Sequence, residues 1–200
     1  MEQHYQKMVR DTENRVRHSL RIQETNPESP YYGGFYDDNR IVQAKYAIYR
    51  IASMIAAYCN EDTCFYRDSR VYESILLGLS YVKRVQHENG LFDYITCNFF
   101  SAPDTAFCIK KLIPVLDYLA QKKERTGQET AIYGQVETIV REGTFGLLEG
   151  GFHTPNHRWA IASLLAKGFT LFGDERLKEA AFRYLREGID CNEDGEFAEK

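Results

Sequence analysis

A chain of 200 residues with 44% hydrophobic content can bury one sizeable core, and neither length nor composition forces a second domain. Its net charge of −4, with the signs interspersed and no basic stripe, argues against nucleic acid as the main partner. No stretch reaches the roughly 18 apolar residues that a membrane span needs, so no membrane partner is expected.

Residues 1–21 alternate charged and polar side chains without an apolar core, so no signal peptide is read there and the expected compartment is the cytoplasm. The cysteines (Cys59, Cys64, Cys97, Cys108, Cys191) are odd in number and lack C-x-x-C spacing, which fits free thiols in a reducing compartment. The 14 tyrosines and 12 phenylalanines suit helix interfaces and clefts that contact ring-shaped polar ligands.

Residues 2–24 read as a charged helix, closed by Asn26-Pro27-Glu28-Ser29-Pro30 because each proline disfavours helix in the residue before it. A loop of aromatics and acids, residues 31–40, follows. Residues 41–58 carry apolar side chains on nearly all faces, as an inner helix would. Residues 68–86 form a third helix with Val71, Ile75, Leu76, Leu79 and Val82 on one stripe, ending at Asn89-Gly90, where glycine can take the left-handed conformation that closes a helix. Ser101 and Asp104 approximate a capping box for a fourth helix running to about residue 124, and residues 129–141 are a fifth.

Gly150-Gly151-Phe152-His153-Thr154-Pro155-Asn156-His157-Arg158-Trp159 starts the sixth helix. Thr154 can cap it, and Pro155 at the first helical position forfeits only an N–H that no helical carbonyl would reach. Ile161, Leu164, Leu165, Gly168, Phe169 and Phe172 continue as the stripe of a buried helix. An amide, an imidazole, a guanidinium and an indole therefore share one helix start, and Trp159 suits either core or a sugar platform. A shorter helix spans residues 175–187. No alternating strand pattern is present, so the predicted class is all-α.

A repeat sits in the loops. Phe35, Phe92, Phe152 and Phe197 each follow a glycine within two residues and recur at intervals of 57, 60 and 45 residues, one helical hairpin per unit. Phe35 and Asn39 match Phe152 and Asn156 in spacing, and residues 103–107 lie over residues 155–159. Such hairpins make an open solenoid or a closed ring, and both gather these loops on one face.

With that decapeptide on an inner helix, the chain resembles the incomplete (α/α) toroid of the heparinase II/III-like polysaccharide lyases. The resemblance implies an all-α array of helical hairpins over one domain, residues 1–200, that acts on an acidic oligo- or polysaccharide by β-elimination. In that family an asparagine neutralises the uronate carboxylate while a tyrosine and a histidine handle the proton and the leaving oxygen. Asn156 matches the asparagine and His157 the position beside it, with Arg158 as a second ligand for a carboxylate or hydroxyl. His153, Trp159, Asp104, Tyr36 and Asp38 are the further substrate-binding candidates. The family's remaining catalytic groups lie further along and partly in a β-sandwich. A chain that stops after residue 200, just as a new glycine-aromatic loop opens, is thus expected to be truncated before a β-rich C-terminal domain and inactive alone.

Two other readings use the same residues. Asp37, Asp38, Asp93 and Asp104 lie in cleft-side loops, where a pair of carboxylates would serve an (α/α)-ring hydrolase of unsaturated uronides. A non-catalytic helical-repeat module would instead show an aromatic groove without convergent polar groups. No cofactor and no metal are expected: His153 and His157 have the spacing of a zinc helix, but Pro155 puts His153 outside the helix.

Overall fold

The computed structural model describes residues 2–149, 154–187 and 192–196. Among them are seven helices: α1 (Glu2–Ile22), α2 (Ala44–Cys59), α3 (Ser69–Val85), α4 (Ala102–Gln121), α5 (Gly127–Gly146), α6 (Pro155–Phe172) and α7 (Glu175–Arg186). One antiparallel hairpin, β1 (Phe92–Tyr94) with β2 (Asn98–Ser101), interrupts them between α3 and α4. The class is all-α as predicted, and the hairpin departs from the expectation of no strand. The chain divides into two compact units, Met1–Val85 with Lys111–Glu137, and Gln86–Lys110 with Thr138–Lys200. It passes between them three times, at the end of α3, inside α4 and inside α5.

In the first unit, α2 is the helix around which the others pack. Ile48, Ile51, Met54, Ile55 and Tyr58 are almost wholly buried, and α1 and α3 both pack against it. α1 contributes only the narrow stripe of Val9, Val16 and Ser19, and the rest of its charged surface faces solvent. The chain returns from α1 through a tight turn in which Gly33 has φ +89. A Cβ on Gly33 would stand 2.4 Å from the Leu77 carbonyl oxygen of α3, so the close approach admits glycine alone. Phe35 is fully buried beyond that turn and bridges back to Gln23. Asp68 caps α3, its carboxylate accepting from the N–H groups of Arg70 (2.8 Å) and Val71 (3.2 Å).

The second unit begins where α3 ends. Gly90 has φ +83, and a Cβ there would meet the Glu142 carbonyl oxygen at 2.1 Å, which places this turn directly on α5. Gln86 donates to the Gly90 and Ile139 carbonyls (2.9 and 3.2 Å), fastening the same turn from within. Phe92 is fully buried, and its N–H donates to the buried Thr105 hydroxyl at 2.8 Å. The two described glycine-corner phenylalanines, Phe35 and Phe92, thus plug the cores of their own units. Each such burial contributes roughly 1.5–3 kcal/mol. Phe152 and Phe197 lie outside the described residues. α6 packs on α7 and, through Gly168, on Thr144 of α5, and it ends at Gly173 with φ +69.

Candidate functional site

Ser101 caps α4 as anticipated, its hydroxyl accepting from the Asp104 N–H (3.2 Å) and donating to the Asp104 carboxylate (2.7 Å). Thr154 stands at the N-cap of α6, but its side chain does not cap the helix. Its hydroxyl donates instead to Asn156 Oδ1, which also accepts the His157 N–H at 2.8 Å. The Asn156 amide oxygen is thus engaged by its own helix start, which leaves only the amide NH₂ to meet a carboxylate.

The remaining candidates on α6 face different ways. His157 is half-buried and lies edge-on to Phe107 of α4, ring centroids 5.9 Å apart, so the first turn of α6 abuts α4. Arg158 is half-buried and faces Glu187 at a loose 4.0 Å. Trp159 is 40% exposed, which excludes the core reading for its ring. His153 lies outside the described residues. Tyr36 and Asp38 belong to the first unit, where the Tyr36 hydroxyl donates to Glu24 at 2.6 Å and Asp38 is exposed. That bond holds the Tyr36 phenol above and the Glu24 carboxyl below their ordinary ranges. The neighbouring Asp37 carboxylate is spent on its own loop, accepting from the Asn39 and Ile41 N–H groups.

The most organised polar cluster of the second unit was not singled out by sequence. Nε2 of His87 stands 2.8 Å from Asp93 Oδ1, an oxygen that also accepts the Phe100 N–H at 2.7 Å. The Phe100 ring stacks on the imidazole at 4.0 Å between centroids. Phe100 has φ +49, a left-handed conformation that costs a bulky residue roughly 1–3 kcal/mol unless its surroundings impose it. Its N–H bond and its stack are those surroundings. The hairpin leaves Phe99 and Phe100 exposed, 65% and 55%, beside the cap of α4. Asp93 had been singled out as a carboxylate; that His87 would meet it six residues back depends on the turn at Gly90.

The first unit holds a separate cavity of about 720 Å³, bordered by Tyr5 of α1, the last turn of α2, the loop after it, and Tyr118 of α4. None of the binding or catalytic candidates read from sequence lines it; Cys59, named there only as a free thiol, does. Among the described residues no group of three or more His, Cys, Asp or Glu side chains is placed to hold a metal, and no helix is long and apolar enough to cross a membrane. The four described cysteines are free thiols. No protein-family model, curated protein or solved structure matches the chain.

Proposed function

We propose that the chain is a carbohydrate-active protein, the hairpin array of an incomplete (α/α) toroid, acting on a uronate-containing polysaccharide by β-elimination. The observation that supports this most is the His87–Asp93 couple beside two exposed phenylalanines. β-Elimination needs a base for the weakly acidic proton next to the uronate carboxylate. An imidazole whose Nε2 is held by a carboxylate keeps a fixed orientation and offers Nδ1 to a substrate. Exposed aromatic faces of Phe99 and Phe100 supply a stacking surface for a sugar ring. Arg158 then serves as a ligand for the uronate carboxylate. Asn156 keeps its proposed part only through its amide NH₂, since its oxygen serves the helix start.

The hydrolase alternative draws less support, because three of its four carboxylates, Asp37, Asp93 and Asp104, are held by local hydrogen bonds. The test is incubation of the complete protein with a panel of uronate polymers. Ultraviolet absorbance of an unsaturated uronide supports elimination, new reducing ends without that absorbance indicate hydrolysis, and no turnover with retained binding indicates a non-catalytic module.

A further inference from the structure

The first-unit cavity has a chemistry of its own. Its volume, about 720 Å³, falls in the range of small-molecule sites. Ile55, Pro114 and Val115 give it an apolar floor, and the rings of Tyr5, Tyr66 and Tyr118 reach its wall. Two of these rings already carry cations of the chain itself: the Arg67 guanidinium lies 5.0 Å from the Tyr66 centroid and the Lys122 ammonium 5.4 Å from that of Tyr118. The ring faces are therefore disposed to receive positive charge.

The balance of charge points the same way. Glu61, Asp62 and Glu124 border the cavity. Against them, Lys122 is neutralised by the buried carboxylate of Glu129, which leaves Arg67 as the one opposing cation among the lining residues. The cavity also receives the C-terminal end of α2, where the peptide dipoles sum to a partial negative charge. The last turn of α2 carries no basic residue, and its Tyr58 carbonyl accepts the Arg67 N–H at 3.0 Å. Burial pushes the Cys59 thiol up to about 11, so the one sulfur on the wall is protonated at neutral pH and unreactive. The cavity is built to bind rather than to react.

We infer that this cavity is a binding site for a small organic cation, an amine or quaternary ammonium group carried on an apolar body. Arg67 acts as a stand-in for that cation. It is exposed, sits at φ +53, and lies over the ring face that the ligand would take. The cation of the ligand displaces it from Tyr66, while Asp62 and Glu124 supply counter-charge.

Isothermal titration calorimetry on the full chain tests this with three probes: choline, spermidine, and 3,3-dimethylbutanol, which has the shape of choline without the charge. Saturable binding of choline or spermidine is expected, with the neutral alcohol at least about ten-fold weaker than the better cation. Preference for choline identifies a quaternary-ammonium site, and preference for spermidine a polyamine site. Tyr118→Leu and Glu124→Gln should each weaken the preferred cation several-fold, and Arg67→Ala should tighten it by clearing the Tyr66 face. Glu124 is exposed, so its variant keeps the test decisive if Tyr118→Leu fails to fold. Equal binding of the alcohol, no binding of either cation, or weaker cation binding by Arg67→Ala overturns the inference.

Discussion

Asp93 Oδ1 binds two partners at once, the imidazole of His87 at 2.8 Å and the backbone N–H of Phe100 at 2.7 Å. One carboxylate thereby fixes the candidate base and holds the left-handed turn that presents the phenylalanines. Asp93→Ala leaves the Phe100 N–H without its acceptor and should destabilise the hairpin by about 1–3 kcal/mol. Native-state hydrogen exchange checks this: the Phe100 amide should exchange at least about ten-fold faster, while amides in α2 stay unchanged.

Glu129 is 1% exposed and bonded to Lys122, and it closes a capping box in which Thr126 Oγ1 accepts the Glu129 N–H (3.2 Å) and Glu129 accepts the Thr126 N–H (2.9 Å). Burial raises its carboxyl, but the Lys122 bond and the Thr126 N–H outweigh burial and leave it below the ordinary 4.5. A depressed carboxyl stabilises the fold fully above its unfolded value and loses that contribution as pH falls through the folded one. Urea midpoints should therefore drop below about pH 4.5, and the drop should be smaller in Glu129→Gln. Lys122→Met, which leaves the buried carboxylate with the Thr126 N–H but without its cation, should cost about 1–3 kcal/mol at pH 7.

Gly90 and Gly134 make a contrasting pair. Alanine at Gly90 would have to adopt φ +83 and drive its Cβ into the Glu142 carbonyl. Gly134 lies within α5 with open space around the position of a Cβ. Gly90→Ala should cost at least about 2 kcal/mol, and Gly134→Ala should add up to about 1 kcal/mol. Thermal melts should separate the two variants by several degrees in opposite directions from the parent.

Asn156 has a structural role that can be separated from a catalytic one. Asn156→Asp keeps an oxygen for the His157 N–H and adds negative charge at the start of α6, so stability should hold or rise by up to about 1 kcal/mol. The same change removes the amide NH₂ that would meet a uronate carboxylate, so turnover of the polymer by the complete protein should fall by orders of magnitude. Chemical denaturation and the ultraviolet assay read the two effects independently, and unchanged turnover would remove Asn156 from the mechanism.

The helices were legible because their periodicity is strong. The apolar faces of α2 identify it as the inner helix, and Pro155 and Gly173 bracket α6. The hairpin was not, because Phe92–Ser101 has three- and four-residue strands and a turn without glycine, so neither alternation nor turn chemistry marks it. Asn89-Gly90 reads as a helix end, which it is, but its second consequence, folding Asp93 back onto His87, needs the three-dimensional path of the turn. Thr126-Gly127-Gln128-Glu129 carries the T-x-x-E pattern of a capping box, whereas the return of Lys122 onto Glu129 has no local signature. The cavity draws on residues 5, 55–67 and 114–124, three segments that no motif connects.

The sharpest test is the rate at which unsaturated uronide appears from an acidic polysaccharide, compared between the complete protein and its His87→Ala variant. Measurable release by the parent is expected, with a fall of at least about a hundred-fold in the variant and the helical fold retained. Equal rates in the two proteins, or no unsaturated product from the parent on any uronate polymer, would contradict it.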